Sequence, residues 1–202
     1  MKELLFDCLI CILTAMFLMM LHELSKSAVY MLLQRRAGRE RKYTHSIFAV
    51  HRYIDPVGVI LSVTSSVAFS KPFMFRIQNK KYNRILGFTG FFVLLFCFVL
   101  SVCLLKMHVF GIRGLETLTT AGIPGMIVSL FLQYLAILSA GMFLTNLFPV
   151  STFDMGLLIA SVSAGKYLGL IKMDSVIKLI YVFTLFIGLI RYGVYRLLML
   201  IL

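Results

Sequence analysis

Residues 85–105 read ILGFTGFFVLLFCFVLSVCLL, an apolar stretch without a charged side chain. An α-helix rises about 1.5 Å per residue, so this stretch is long enough to cross the roughly 30 Å hydrocarbon core of a bilayer. Residues 117–165 form a second apolar stretch, in which Asp154 is the only charged residue. We therefore expect transmembrane helices in both stretches.

The composition of the whole chain is that of an integral membrane protein. Of its 202 residues, 60% are hydrophobic and 14% are charged, whereas soluble domains average about 45–50% apolar and about 25% charged residues. A soluble domain is thereby excluded. The net charge of +12 does not indicate a nucleic-acid partner, because the basic residues are placed as membrane topology signals. We expect a single integral membrane domain over residues 1–202.

Basic residues concentrate in two hydrophilic stretches, residues 35–52 and 71–84, which together hold 11 of the 20 Lys and Arg. The positive-inside rule places both on the cytosolic side, and contacts with anionic lipid head groups are the simplest further role for them. Only residues 57–69 are apolar between the two stretches, and they are too few to cross a bilayer comfortably. We expect this segment to enter the membrane and return.

The apolar runs and their breakers predict the order of elements. A first helix runs from Leu4 to about Arg35, and a final helix runs from Val176 to Leu202. Pro149 interrupts an apolar stretch, and the backbone groups that it frees need partners, so the break should line a cavity. Within residues 70–84, apolar Phe73, Phe75 and Ile77 alternate as in a strand.

The fold class predicted from these patterns is an all-α polytopic membrane protein. It has about 4 to 6 transmembrane or re-entrant helices and a short β-hairpin-like element near residues 70–84.

Several ionisable residues lie inside apolar runs, where a charge is costly and usually faces a cavity or a partner. His22 and Lys26 are four residues apart on the first helix and therefore share a face, with Glu23 beside them. Asp154 follows the break at Pro149. These four side chains are the candidates for a buried polar site.

The chain resembles the site-2 protease family of intramembrane zinc metalloproteases. The family's motifs appear here in order, as His-Glu-x-x-His near residues 22–26 (HELSK), a His-to-Asp-Pro-x-Gly stretch at 51–58 (HRYIDPVG), Lys-Pro at 71–72, and Asn-x-x-Pro then Asp-Gly at 146–156 (NLFPVSTFDMG). The family's Gly-Pro pair is matched only in part, by Gly90 and Phe91.

The resemblance implies a role for each matching residue. Glu23 would be the general base, Asn146 a second catalytic residue, and His22 and Asp154 ligands of zinc. Lys26 departs from the pattern, because it stands at the position of the second histidine. Catalytic zinc needs three protein ligands, and an ammonium group repels a dication. We therefore expect the chain to bind zinc only if it is an active enzyme. The simpler expectation is that it binds no cofactor.

A catalytically inactive, site-2 protease-like protein is thus the first hypothesis. It would bind a transmembrane segment or membrane partner as a scaffold or regulator, with Lys26 paired to Asp154 or Glu23. The resemblance also places His22 within about 10 Å of Asp154, and buried charges need such partners. Expected partners are membrane lipids and a transmembrane protein or peptide, with no nucleic acid, in a bacterial plasma membrane.

Two alternatives remain open from the sequence, so an enzymatic activity is undecided at this point. The first is an active intramembrane zinc metalloprotease that cleaves membrane-embedded peptides, with a substitute ligand in place of the missing imidazole. The second is a small transporter that uses Asp7, Glu23 and Asp154 as an ion path, although no pseudo-symmetric halves are visible.

Overall fold

The computed structural model describes residues 2–38, 49–72, 79–106 and 118–201. Within these ranges the secondary structure is helical and contains no strand. The helices are α1 Lys2–Arg36, α2 Pro56–Ser65, α3 Lys80–Lys106, α4 Leu118–Asn146, α5 Asp154–Val162, α6 Ala164–Phe186 and α7 Leu189–Ile201, with a single 3-10 turn at Val50–Tyr53.

Three of these helices are long and apolar enough to cross a membrane: α1, α3 and the part of α4 that follows Gly122. Helices α6 and α7 add a fourth span if they are counted together, although they are bent by 57°. The all-α class is confirmed for the described residues, and their 3 or 4 candidate spans are compatible with the polytopic protein of about 4 to 6 transmembrane or re-entrant helices that the sequence predicts. In this chain the helix is the natural spanning element because it satisfies every backbone hydrogen bond internally.

Helix α3 lies at the centre of the bundle and packs against α1, α4 and α5. Helix α1 also packs on α4, and α7 returns to pack on α4. Glycines allow the closest approach between α3 and α5, because a Cβ on Gly87 would crowd Leu158 and one on Gly90 would overlap the Asp154 carboxylate. The two helices therefore run antiparallel, with Asp154 beside the middle of α3.

The short apolar segment between the basic stretches turns back so that its two ends are adjacent, as a segment that enters a membrane and returns would require. Asp55 caps α2 by accepting hydrogen bonds from the backbone N–H of Val57 (2.9 Å) and Gly58 (3.3 Å). The helix ends at Ser66, whose φ of 55° is left-handed. Lys71 N–H then donates to the Tyr53 carbonyl at 2.9 Å, so entry and exit of the segment are adjacent.

The predicted hairpin near residues 70–84 is not supported. Residues 80–84 form the first turn of α3 instead, because the Asn79 side chain accepts hydrogen bonds from the backbone N–H of Lys81 (2.9 Å) and Tyr82 (3.4 Å). A side chain that satisfies these free N–H groups favours a helix start. Residues 73–78, where the apolar alternation was noted, lie outside the described residues.

The predicted final helix from Val176 to Leu202 also differs from the structure. Helix α6 already begins at Ala164, and it ends near Gly188, whose φ of 75° introduces the bend before α7. Lys166 and Lys172 are exposed side chains on α6, so their charges do not interrupt the helix. The first helix, by contrast, ends at Arg36, within one residue of the prediction.

Candidate buried ionic site

Two separate parts of the chain, α1 and the start of α5, meet at one buried site. Helix α1 contributes His22, Glu23 and Lys26 from one face, as the spacing predicts. Asp154 is the first residue of α5, just after the break at Pro149. All four side chains are at most 3% exposed, so they are buried within the bundle.

The site lies well inside the bundle when measured along two helices. Gly90, which touches Asp154, is 10 residues beyond Lys80 (90 − 80), or about 15 Å along α3. His22 is 14 residues before Arg36 (36 − 22), or about 21 Å along α1. Both distances place the four ionisable side chains far from the ends of two candidate spans, where charges require partners.

The expected approach of His22 to Asp154 is confirmed, although 132 positions separate them. The Nε2 atom of His22 lies 2.8 Å from Asp154 Oδ2. Lys26 Nζ donates to the other carboxylate oxygen, Asp154 Oδ1, at 2.9 Å. The two α1 side chains thus use one oxygen each of the same carboxylate.

Lys26 also forms the predicted contact with Glu23, so it pairs with both carboxylates. Its Nζ atom lies 2.6 Å from Glu23 Oε1. A single ammonium group therefore bridges two buried anions that would otherwise repel each other. In a low-dielectric interior this attraction can offset the cost of removing the charges from water only if the geometry is good.

Ser70 completes the network from the extended segment after α2. Its Oγ donates to Glu23 Oε1 at 2.7 Å and lies 3.1 Å from His22 Nδ1. Ser70 is partly exposed, so it is the member of the network nearest to the outside. Sequence reasoning missed this residue, although it directly precedes the Lys71–Pro72 pair that belongs to the family resemblance.

Asn146 holds the Asp154 backbone rather than its carboxylate. The Asn146 side-chain oxygen accepts the backbone N–H of Asp154 at 3.2 Å, and its Nδ2 donates to the Met142 carbonyl at 3.0 Å. Asn146 therefore ties the end of α4 to the start of α5 across the Pro149 break. This places the residue at the site, in a positioning contact; its expected catalytic role stays a prediction.

Tyr53 fixes the start of the segment that carries α2 against α1, near the site. The side chain is 3% exposed, and burial raises the pKa of its phenol, while a hydrogen bond with Ser27 acts in the opposite direction. Ser27 directly follows Lys26 on α1. The Tyr53 contact thus anchors the base of the segment that carries Ser70.

The residues at the site do not fit a bound zinc ion. Catalytic zinc needs three protein ligands, and the expected ligands His22 and Asp154, which lie 2.8 Å apart, supply two of them. Lys26 places a cation where the resemblance to site-2 proteases would expect the third ligand. In the described ranges, no group of three His, Cys, Asp or Glu side chains is arranged to hold a metal.

No family model, curated protein or solved structure matches the chain. The resemblance to site-2 proteases therefore remains an interpretation of the motifs, and the roles of His22, Glu23, Asn146 and Asp154 remain predictions.

Gly90 gives a direct test of how tightly α3 closes over Asp154. Changing Gly90 to Ala should lower the free energy of unfolding by about 1–3 kcal/mol, because the new methyl group would overlap the carboxylate. Unfolding in mixed SDS micelles measures the effect. Gly169→Ala on α6 is the matched control, since its Cβ would meet no atom within 4 Å and alanine is the better helix former. Equal shifts in both variants would contradict the close packing.

Proposed function

We propose that this chain is a degenerate member of the site-2 protease family that has lost zinc-dependent proteolysis. It binds a transmembrane segment as a scaffold or regulator, in a bacterial plasma membrane. The observation that carries the proposal is the position of the Lys26 ammonium, 2.6 Å from Glu23 and 2.9 Å from Asp154. By the resemblance, Glu23 corresponds to the general base of the family and Asp154 to one of its metal ligands.

The chemistry of this contact supports the loss of activity. A general base that acts on metal-bound water must reach that water, and the metal must polarise the scissile carbonyl. In this chain the carboxylates of Glu23 and Asp154 are both held by one ammonium group. Binding of a partner, by contrast, needs only an apolar surface and access to the site.

The extended segment around Ser70 supports an access path beside α2. Ser70 is the partly exposed member of the network, and α2 presents exposed Ile60 and Val63 close to it in the chain. A transmembrane partner that lies along this side would contact apolar side chains first and the polar network second. Packing of side chains is enough to bind such a helix, so its recognition does not require hydrolysis.

Metal analysis and peptide cleavage on the purified full chain test the loss of proteolysis. We expect substoichiometric zinc after purification in zinc-supplemented buffer, and no cleavage of membrane-embedded peptides that a purified site-2 protease cleaves in parallel. One zinc per chain together with cleavage would establish the active-protease alternative instead.

Photocross-linking in native membranes tests the binding side. A photoreactive amino acid at Val63 should capture a discrete membrane protein, whereas the same group at Phe183, an exposed position on α6, should capture only lipid. Equal products from both positions would argue against a dedicated partner surface beside α2.

A further inference from the structure

The end of α1 and the start of α3 meet at one edge of the bundle. The hydroxyl group of Tyr82 donates to the carbonyl of Leu33 at 3.3 Å. The rings of Tyr30 and Tyr82 are packed edge to face, with centroids 6.1 Å apart. These contacts join the end of α1 to the start of α3, and the basic stretches beside them predict that both lie on the cytosolic side. We call this region the α1/α3 junction.

Four exposed cations lie close in the chain to the residues of this junction, and they are Arg35, Arg36, Lys80 and Lys81. Two end α1 and two begin α3. The ion pairs found in the described part of the chain involve His22, Lys26 and Lys178 as the basic partners, so none of the four has a carboxylate partner there. The positive charge of the junction is therefore not balanced by the described residues.

Tyr30 and Tyr82 indicate the expected position of these cations relative to the membrane surface. Tyrosine prefers the interface between hydrocarbon and head groups. Arg35 follows Tyr30 by five residues (35 − 30), or about 7.5 Å along α1, while Lys80 and Lys81 directly precede Tyr82. Along both helices the cations thus lie beyond the aromatic pair, which is the position expected for side chains that reach lipid phosphates.

We infer that the α1/α3 junction is a binding site for the phosphate head group of an anionic phospholipid, with Arg35, Arg36, Lys80 and Lys81 as its cationic groups. Each Lys or Arg near an anionic leaflet attracts its lipids, and four together exceed what a zwitterionic head group can neutralise. A lipid fits better than a soluble anion, because the junction lies at the ends of two candidate spans. The site is independent of the buried ionic network.

A lipid titration of the purified full chain in uncharged detergent tests this site. Dioctanoyl phosphatidylglycerol should raise the midpoint temperature of unfolding in a saturable manner, and dioctanoyl phosphatidylcholine should not. The combined variant Arg35→Gln, Arg36→Gln, Lys80→Gln, Lys81→Gln should require an at least about tenfold higher phosphatidylglycerol concentration for half of the effect.

The control variant removes the same charge elsewhere, as Lys106→Gln, Lys172→Gln, Arg191→Gln, Arg196→Gln; all four positions are exposed. It should respond to phosphatidylglycerol like the native chain. Should the first variant show no cooperative unfolding, Lys80→Gln with Lys81→Gln takes its place.

Four results would overturn the inference. They are the absence of any rise with phosphatidylglycerol, an equal rise with phosphatidylcholine, an equal rise with inorganic phosphate at the same concentration, and equal weakening in both variants. The third would indicate a soluble-anion site, and the fourth would indicate attraction by net charge alone.

Discussion

Replacement of Lys26 by alanine is expected to lower the free energy of unfolding by about 3–5 kcal/mol. Removing one partner of a buried ion pair leaves its counter-charges uncompensated in a medium of low dielectric constant. In this chain the loss affects two carboxylates at once, because Lys26 Nζ contacts Glu23 at 2.6 Å and Asp154 at 2.9 Å. SDS-induced unfolding, followed by circular dichroism, measures the change.

Lys178→Ala is the matched control for this prediction. Lys178 also forms a 2.6 Å ion pair, with Asp174, but its side chain is 50% exposed. Exposed pairs contribute at most about 1 kcal/mol, so the control should unfold nearly like the native chain. If Lys26→Ala costs no more than Lys178→Ala, then Lys26 is solvated and does not hold the buried carboxylates.

A double variant separates charge pairing from simple packing. Lys26→Met keeps an unbranched side chain of similar length, and Asp154→Asn removes one of the anions that Lys26 binds. Replacing both partners of a buried pair is often much less harmful than removing one. The double variant should therefore be destabilised by clearly less than the sum of the two single variants, and strict additivity would contradict direct pairing.

Replacement of Lys26 by histidine is expected to create a zinc site. The new imidazole would lie one helical turn from His22 on the same face of α1, and Asp154 already contacts both positions. Two imidazoles and a carboxylate are a standard ligand set for zinc. Zinc at 100 times its dissociation constant should then stabilise the variant by about 2.7 kcal/mol.

Unfolding of the Lys26→His variant with added zinc and with a chelator measures this effect. Lys26→Ala is the appropriate comparison, because it also removes the ammonium group but adds no ligand. Combining Lys26→His with Asp154→Ala should abolish the response to zinc. If Lys26→His binds no more zinc than Lys26→Ala, the motifs do not form a metal-site geometry, and the family resemblance loses its main physical support.

Local sequence features predicted much of the helical framework. Residues 85–105 lie within α3, Lys80–Lys106, and the first helix ends at Arg36, because long apolar runs in a membrane have few alternatives to helix. The small number of residues at 57–69 predicted that this segment turns back, and Pro149 predicted the break before Asp154. The hairpin predicted near residues 70–84 and the helix start predicted at Val176 were wrong, because an exposed helical face tolerates charges such as those of Lys80 and Lys166.

The side-chain contacts of the site were decided by tertiary packing. The sequence identified His22, Glu23, Lys26 and Asp154 as costly charges in apolar surroundings, and that cost implied partners. It could not show that Ser70 bridges Glu23 and His22, or that Asn146 holds the Asp154 backbone.

The physical reason for this difference is the sequence separation of the residues that interact. Helix formation and capping depend on neighbours within a few residues, whereas the 2.9 Å contact between Lys26 and Asp154 joins positions 128 residues apart. That contact requires α1, α3 and α5 to pack together, with Gly90 leaving the space that the carboxylate occupies.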